Sequence, residues 1–326
     1  MAPIPLVIDT DPGIDDAFAL ALAVASPEVD LRAVTTVFGN VDLATTTHNA
    51  LRLLTLFGRG DVPVGAGAER PLVYPQPHRA PHVHGADGLG GRSGMLPEPC
   101  RGADRRGAVE LLADVLRQAE RPVTIAPIGP LTNIALLLAS FPELRPRIER
   151  LVVMGGAVGG GNVTAAAEFN VWSDPEAARR VLVEEDVPVT LVPMDLTYRC
   201  AVDGAWLDTL AGSGPVGAAL VGMTAPYRAR YAETLGRDAL VLHDAVALVE
   251  AIRPGTLRCE RMVVEVECGS GPARGMVVAD RRRAASHRVG REIDVAVDAD
   301  LDALCAFLLE RLSGVPAPGE GEHAAG

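Results

Sequence analysis

Apolar runs rich in β-forming side chains alternate along this chain with stretches in which apolar residues recur at helical spacing. The apolar runs predict strands at 4–9, 31–38, 122–128, 150–155, 188–194, 261–267 and 293–298. The stretches between them predict helices near 15–25, 43–57, 107–119, 131–139, 174–184 and 215–231, and a shorter helix after a turn at 241–252. This alternation is typical of an α/β fold with an open, mostly parallel central sheet and helices on both faces.

The pattern contains no clear linker, so residues 1–312 are predicted to form a single domain. Residues 59–106 are rich in Gly, Pro, His and Arg and predict an extended loop region that could serve as a lid or binding loop. The final stretch, 313–326, is predicted to be a disordered tail. Ligands of parallel sheets bind beyond the carboxyl ends of the strands, so the polar clusters that follow predicted strands mark the candidate site.

The composition excludes several classes of function. A net charge of −12 disfavours nucleic acids and anionic membranes as partners. The chain has no lysine, which excludes Schiff-base catalysis, pyridoxal phosphate attachment and a P-loop lysine. No apolar run reaches the roughly 18 residues of a membrane span, and no secretory signal is recognisable, so a cytoplasmic location is expected. The five cysteines are odd in number, lack CxxC spacing and are interpreted as reduced thiols.

Four aspartates crowd the first strand–helix junction, in the sequence DTDPGIDDA: Asp9, Asp11, Asp15 and Asp16. Asp9 and Asp11 point the same way at a strand end, whereas Asp15 and Asp16 open a helix, where the helix dipole favours negative charge. Capping the helix would use one carboxylate and leave three unexplained. A bound cation accounts for all four, and oxygen donors favour Ca²⁺ or Mg²⁺. A phosphatase with an aspartate nucleophile also has a DxD here, but it needs a downstream lysine.

DTDPGIDDA resembles the N-terminal signature of the nucleoside hydrolases, the inosine–uridine-preferring ribohydrolase group. The resemblance continues in order through VFGN (37–40), HGADGLGG (84–91), IGPLTNIA (128–135), VMGGAVGGGNVTAAAEFNVWSDPEAA (153–178) and LHDAVAL (242–248). The family implies an open α/β sheet and a tightly bound Ca²⁺. It also implies hydrolysis of the N-glycosidic bond of ribonucleosides by a water held on the metal, in a homodimer or homotetramer.

The resemblance assigns the metal ligands and the catalytic groups. The implied Ca²⁺ ligands are the carboxylates of Asp11, Asp16 and Asp244 and the backbone carbonyl of Ile128. Asp11 is also the predicted base that takes a proton from the attacking water, and Asp9 is expected to orient its neighbours. His243 is the predicted general acid for the departing nucleobase, since histidine titrates near neutral pH.

The resemblance also assigns the substrate contacts. The predicted ribose-binding residues are Asp15 and Asn40 on the 2′/3′ side and Asn162, Glu168 and Asn170 on the 5′ side, and those near the base are His84, Tyr227 and Tyr231. Tyr227 and Tyr231 share a helix face, where ordinary packing is an equal alternative. Trp172 and Trp206 are not where a purine-stacking tryptophan is expected, which favours the histidine-using branch of the family. Asn133 is interpreted as structural.

Two other functions stay open at this point. One is hydrolysis of a different ribosyl compound, such as a modified nucleoside or nicotinamide riboside. The other is nucleoside binding without catalysis. The residues do not predict which nucleobase is preferred.

Overall fold

The computed structural model describes residues 2–75, 77–282, 284 and 286–315. The predicted tail at 313–326 lies outside these residues from 316 onward, and Ser313 is the last residue of a helix.

One large sheet organises the described residues. It consists of β1 (Ile4–Thr10), β2 (Val29–Thr36), β3 (Val64–Ala66), β4 (Val123–Pro127), β5 (Ile148–Met154), β6 (Val189–Val192), β9 (Arg258–Val266), β10 (Val277–Asp280) and β11 (Arg291–Asp298). A separate antiparallel ribbon pairs β7 (Ala201–Val202) with β8 (Leu240–Val241).

The helices surround this sheet. They are α1 (Ile14–Val24), α2 (Leu43–Leu56), α3 (Pro81–His84), α4 (Gly107–Gln118), α5 (Thr132–Ser140), α6 (Phe169–Ser173), α7 (Pro175–Arg179), α8 (Met194–Thr197), α9 (Gly204–Gly212), α10 (Pro215–Gly222), α11 (Ala225–Leu235), α12 (His243–Ile252) and α13 (Leu301–Ser313). Short 3₁₀ turns occupy Ser93–Met95 and Pro142–Arg147, and a π-helical turn follows α7 at Arg180–Glu184.

The strand order is β10-β9-β11-β6-β5-β4-β1-β2-β3. The neighbouring strands from β11 to β3 are all parallel, and β9 runs antiparallel to both β11 and β10. The predicted open, mostly parallel α/β sheet is therefore confirmed. Strand β1 lies between β2 and β4, so the residues that follow β1 lie at the centre of the carboxyl edge, where ligands of such sheets bind.

Two hydrophobic cores lie on opposite faces of the sheet. Along β1, Leu6 and Ile8 belong to one core and Val7 to the other, as expected for side chains that alternate between the faces of a strand. Helices α1, α2, α12 and α13 contribute to the first core, and α4, α5 and α7 to the second. Burial on both faces explains why β1 has an unbroken apolar run before its aspartates.

The prediction of one helical stretch over 215–231 is wrong. The structure has two helices, α10 and α11, separated at Met223 and Thr224. Pro226 stands in the first turn of α11, where its missing N–H costs no hydrogen bond, whereas inside a continuous helix it would break the ladder. The stretch 174–184 likewise forms the five-residue helix α7 and a π-helical turn instead of one regular helix.

The predicted loop region 59–106 is only partly irregular. It contains β3, α3 and a 3₁₀ turn, and Asp87 fixes part of it by accepting N–H bonds from Leu89, Gly91 and Ser93 at 2.8–3.0 Å. The elements β3 and α3 in this region were not predicted, and neither were helices α6, α8, α9 and α13 or strands β7, β8 and β10. No helix within the described ranges combines the length and apolarity that crossing a membrane requires.

Candidate active site

The aspartate cluster lies at the carboxyl end of β1 and in the first turn of α1. The hydroxyl of Thr10 donates to Oδ1 of Asp16 at 2.5 Å, and the N–H of Gly13 donates to Oδ2 at 2.8 Å. Asp16 therefore closes the first turn of α1 as a capping residue does, but it also faces the other carboxylates. The capping alternative accounts for this one aspartate and not for the rest.

The carboxylates of Asp15, Asp16 and Asp244 come close together. One oxygen from each lies within 4.8 Å of the others, and all three side chains are buried. Asp244 enters from the first turn of α12, which packs against α1. This acidic cluster could hold a metal ion. It contains Asp15, for which the sequence predicted a ribose contact.

Asp11 lies beside this cluster, in a space that two glycines leave open. Its Oδ2 accepts the N–H of Asn40 at 2.7 Å. A Cβ atom on Gly39 would lie 1.9 Å from Oδ2, and one on Gly129 would lie 2.5 Å from Oδ1. Gly129 follows Ile128, so the Asp11 carboxylate is held against the segment whose carbonyl the sequence predicted as a metal ligand.

Burial without a counter-ion dominates the electrostatics of these aspartates. Burial first, and then the charge of Asp16, raise the pKa of Asp15 to about 8. Burial also raises the pKa values of Asp11 and Asp244 well above the ordinary range, and neighbouring carboxylates add to the effect. Among the described residues, the one possible ion-pair partner of the cluster is His84, whose Nδ1 lies 3.9 Å from Oδ1 of Asp15.

That contact is not an ion pair. The backbone N–H of Ile14 donates to Nδ1 of His84 at 3.1 Å, so this nitrogen carries no proton. Burial also lowers the pKa of His84 to about 3, which leaves the ring neutral. Among the described residues, no cationic side chain therefore forms an ion pair with the carboxylate cluster, and a bound cation would lower the pKa values of its carboxylates.

Asp9 is fully buried behind the cluster. Its Oδ1 accepts bonds from the hydroxyl of Thr35 at 2.5 Å and from Nδ2 of Asn133 at 2.8 Å, whereas its Oδ2 has no partner. Burial raises the pKa of Asp9 to about 7. Asn133 also donates to Thr36 O and accepts the N–H of Ala68, so it ties α5 to the ends of β1 and β2.

A cavity of about 610 Å³ opens over these carboxylates. Its lining includes most of the sequence-predicted site residues: Asp11, Asp15, Asn40, His84, Ile128, Asn162, Glu168, Asn170, Tyr227, Tyr231, His243 and Asp244. Asp9 and Asp16 lie beneath the lining, where both are buried. The cavity volume falls in the range of small-molecule sites.

One wall carries a chain of aromatic and imidazole groups. The Tyr231 hydroxyl lies 2.8 Å from Nε2 of His243, and Oγ1 of Thr197 lies 2.5 Å from Nδ1 of the same ring. The hydroxyl of Tyr227 donates to Oδ2 of Asp15 at 3.1 Å. The rings of Tyr227 and Tyr231 are 4.6 Å apart, so the two side chains are packed together and also face the cavity.

The state of His243 differs from the expectation of a histidine that titrates near neutral pH. The side chain is almost completely buried, and burial lowers its pKa to about 3. Burial therefore favours the neutral imidazole over the charged form.

Another part of the cavity lining consists of Glu168, Asn170 and Asn162. Glu168 begins α6 as its N-cap, and its oxygens accept N–H bonds from Gly156 at 2.6 Å and Asn170 at 2.9 Å. Nδ2 of Asn170 donates to the carbonyls of Ile128 and Met154 at 2.9 and 3.3 Å. Both amide hydrogens are thereby used, which leaves Oδ1 of Asn170 as its free polar atom.

The sequence missed several residues of this cavity. Tyr198 follows α8, and His78, Arg79 and His82 come from the predicted loop region. Thr197 in α8 does not line the cavity itself but contacts His243, which does. Trp172 also lines the cavity, where its ring stacks on His78 with 3.4 Å between ring centroids. Trp172 was not predicted as a site residue, and it reaches the cavity because α6 begins at Glu168, which also lines it. The two histidines of the sequence HVH at 82–84 could have indicated that this loop contributes to the site, whereas nothing in the local sequence distinguishes Thr197.

Comparisons with known proteins agree with this geometry. The family described as inosine-uridine preferring nucleoside hydrolase matches residues 6–306. The chain is 39% identical over 312 residues to the pyrimidine-specific ribonucleoside hydrolase RihA of Klebsiella pneumoniae, covering 95% of this chain and 98% of that protein. It is 40% identical over 317 residues to an uncharacterized protein of Schizosaccharomyces pombe, covering 95% and 99%.

Solved structures give the same result. A plant nucleoside hydrolase, the PpNRh1 enzyme, superposes with a TM-score of 0.89 at 33% identity, covering 95% of this chain and 99% of that one. The purine-preferring ribonucleoside hydrolase from Gardnerella vaginalis superposes with a TM-score of 0.87 at 29% identity, covering 95% and 98%. The chain therefore belongs to the inosine-uridine preferring nucleoside hydrolase family.

Proposed function

We propose that this protein hydrolyses the N-glycosidic bond of ribonucleosides, with Ca²⁺ bound by Asp11, Asp16, Asp244 and the carbonyl of Ile128. One observation carries the proposal. Buried aspartates from the β1 end, α1 and α12 converge beneath one nucleoside-sized cavity, and among the described residues no arginine forms an ion pair with them.

The donor set fits calcium. Carboxylate and carbonyl oxygens are the ligands of a hard cation, and Ca²⁺ takes ~6–8 of them at flexible geometry, which leaves places for water and ribose hydroxyls. The Ile128 carbonyl accepts one bond from Asn170, and its second lone pair stays available. A cation here would also remove the electrostatic penalty that raises the pKa values of the carboxylates. When bound, Ca²⁺ would orient the ribose hydroxyls and acidify the water nucleophile.

Asp11 is the proposed general base. Its carboxylate lines the cavity and is fixed by Asn40 and the two glycines, so it can accept the proton of a water that attacks C1′ of the ribose. Asp9 holds Asn133 and Thr35 behind it and keeps the β1 end in place. The same carboxylates stabilise the positive charge that develops on the ribose in the transition state.

The ribose is proposed to bind between two polar walls. Asp15 and Asn40 face its 2′ and 3′ hydroxyls, and Glu168, Asn170 and Asn162 face the 5′ side. Oδ1 of Asn170 can accept a hydroxyl because Nδ2 is already engaged. Such contacts would hold C1′ of the ribose next to the general base Asp11, so that the binding energy orients the reacting atoms.

The departing nucleobase is proposed to receive its proton from the pair His243 and Tyr231. Both line the cavity, and their contact at 2.8 Å allows a proton to pass between ring nitrogen and phenol. His84 and Tyr227, whose ring centroids are 5.3 Å apart, are proposed to contact the base. Burial favours the neutral ring of His243, so the pair would give one proton to the leaving base and regain one from solvent after the base has left.

A reducing-sugar assay over inosine, uridine, cytidine, adenosine and nicotinamide riboside tests the proposal. Release of ribose that depends on added Ca²⁺ is the expected result. His243→Ala should slow inosine or uridine more than 4-nitrophenyl riboside, whose leaving group needs no proton. Tight nucleoside binding without ribose release would contradict the proposed activity, and equal losses on both substrates would contradict the role of His243.

A homodimer or homotetramer, a cytoplasmic location and a part in nucleoside salvage are further proposals that rest on family membership. Light scattering of the purified chain tests the first. Fractionation of the native cell tests the second, and growth of a deletion strain on nucleosides tests the third.

A further inference from the structure

Two cysteines far apart in the chain meet outside the cavity. Sγ of Cys200 lies 3.7 Å from Sγ of Cys305, although the residues are 105 positions apart. Cys200 lies between α8 and β7, and Cys305 lies in α13. The recorded sulfur contacts of Cys100, Cys259 and Cys268 are instead with backbone carbonyl oxygens.

The two thiols differ in access. Cys200 is completely buried, whereas Cys305 is partly exposed. Contact with Cys200 lowers the pKa of Cys305, while contact with Cys305 and burial raise the pKa of Cys200. A small disulfide from solvent can therefore reach Cys305 and cannot reach Cys200 directly, and the accessible thiol is also the better ionised one.

We propose that Cys200 and Cys305 form an intramolecular disulfide through exchange with a small disulfide such as glutathione disulfide. The Cys305 thiolate attacks one sulfur of the reagent, the reagent's S–S bond breaks, and one reagent thiolate leaves. Cys200 then gives up its proton, attacks Sγ of Cys305 and displaces the second reagent thiolate. The two protein thiols are oxidised, the reagent is reduced to two thiols, and the two protons go to them.

The surroundings favour closure of this bond. The sulfurs need to approach by less than about 2 Å to reach disulfide length. Trp206 in α9 donates from Nε1 to the carbonyl of Cys305 at 3.0 Å, and the N–H of Leu242 donates to the carbonyl of Cys200 at 3.3 Å. Both residues are thus held in place, and the second step is an attack between neighbours.

The bond would tie the C-terminal helix to the segment that supports the active site. Cys200 is three residues after Thr197, which contacts His243, and β7 pairs with β8 directly before His243. The closed loop is long, so the cross-link constrains the unfolded chain strongly. We expect the oxidised protein to unfold several degrees above the reduced one.

The test incubates the reduced full-length protein with glutathione disulfide and maps its peptides under non-reducing conditions. The expected product in the wild type is a cross-linked peptide pair containing Cys200 and Cys305, with the loss of two hydrogen atoms. Cys200→Ser should instead accumulate glutathione on Cys305, because the second thiol is missing. Cys305→Ser should leave Cys200 unmodified, and Cys268→Ser, the matched control, should keep the cross-link.

Cys100 is exposed, so its modification by glutathione shows that the reagent is active. The proposal would be overturned if glutathione is attached to Cys100 while the thiols of Cys200 and Cys305 both remain unmodified. It would also be overturned by stable glutathione on Cys305 of the wild type without a cross-link. Thermal unfolding of the oxidised and reduced wild type gives a second readout, and the difference should be absent in Cys305→Ser. These readouts do not involve the proposed hydrolase activity.

Discussion

At the scale of single residues, neighbouring aspartates in one motif have different surroundings. Asp16 is held by Thr10 and Gly13, Asp11 by Asn40 and two glycines, and Asp15 by the hydroxyl of Tyr227. These partners fix each carboxylate separately. Similar side chains can therefore be assigned different roles, and substitution can separate those roles.

We expect Asp11→Asn to lose bound Ca²⁺ and to lower kcat by about 10²–10⁴-fold, since it removes a proposed ligand and the proposed base. Asp15→Asn should keep Ca²⁺ and mainly raise KM, by about 10- to 100-fold, because a charge-assisted bond to ribose is worth roughly 1.5–3 kcal/mol. Metal analysis and steady-state kinetics of both variants check this. If Asp15→Asn loses Ca²⁺ and Asp11→Asn keeps it, the metal ligands are Asp15, Asp16 and Asp244 instead of the proposed set.

The hydroxyl of Thr197 sits against His243 in a buried setting. Thr197→Val keeps the side-chain shape but leaves Nδ1 without a partner, so the ring loses its fixed orientation. We expect kcat for inosine or uridine to fall by about 10- to 100-fold, with a much smaller change for 4-nitrophenyl riboside. Thr197→Ser restores the hydroxyl and should restore most of kcat, and equal losses on both substrates would argue for a merely structural role.

At the scale of elements, the loop between β4 and α5 must approach Asp11 closely. Gly129 in this loop leaves no room for a Cβ, which would lie 2.5 Å from Oδ1 of Asp11 and 3.1 Å from Val37 Cγ1. The Asp11 carboxylate cannot move away from this loop, because its Oδ2 is packed against Gly39 on the other side. The β4–α5 loop thereby sets the position of a side chain that belongs to β1.

We expect Gly129→Ala to displace the Asp11 carboxylate, to weaken Ca²⁺ binding and to lower kcat by at least about tenfold, while the fold is retained. Gly102→Ala is the matched control, since a Cβ there meets no atom within 4 Å. Circular dichroism checks the fold, and calcium titration checks the metal. A Gly129→Ala variant as active as Gly102→Ala would show that Asp11 adapts.

At the scale of the whole molecule, the proposed Ca²⁺ ligands come from three separate parts of the chain. Asp11 and Asp16 follow β1, Ile128 follows β4, and Asp244 lies in the first turn of α12. A cation that binds all of them links these parts in the folded state only. Its binding free energy therefore adds to the free energy of unfolding.

We expect dialysis against a chelator to abolish ribose release and to lower the unfolding temperature. At a hundredfold excess of Ca²⁺ over its Kd the linkage amounts to about 2.7 kcal/mol. Returning Ca²⁺ should restore both properties, and Mg²⁺ should restore them less well, because it is smaller and demands octahedral geometry. Differential scanning calorimetry and the reducing-sugar assay check this. Full activity of metal-free protein would contradict the mechanism.

Much of the fold could be predicted because its signals are local. The alternation of strand and helix follows from apolar periodicity within short windows, and this gave the parallel sheet and most of its elements. Helix α13 was missed although Leu304, Leu308 and Leu312 recur at helical spacing after the N-cap Asp300. Strands β3 and β10 have three and four residues, and pairing with neighbouring strands stabilises them more than their own sequence does.

The sequence by itself determined the aspartate motif and, through the order of several motifs, the family. Only the tertiary structure decided which side chains meet. Asn133 reaches Asp9 across 124 positions, Thr197 reaches His243 across 46, and Trp172 stacks on His78 over the cavity. These contacts depend on how helices pack on the sheet, and no local spacing encodes them. The neutral state of His243 has the same origin, since burial is a property of the packed molecule and not of the residue.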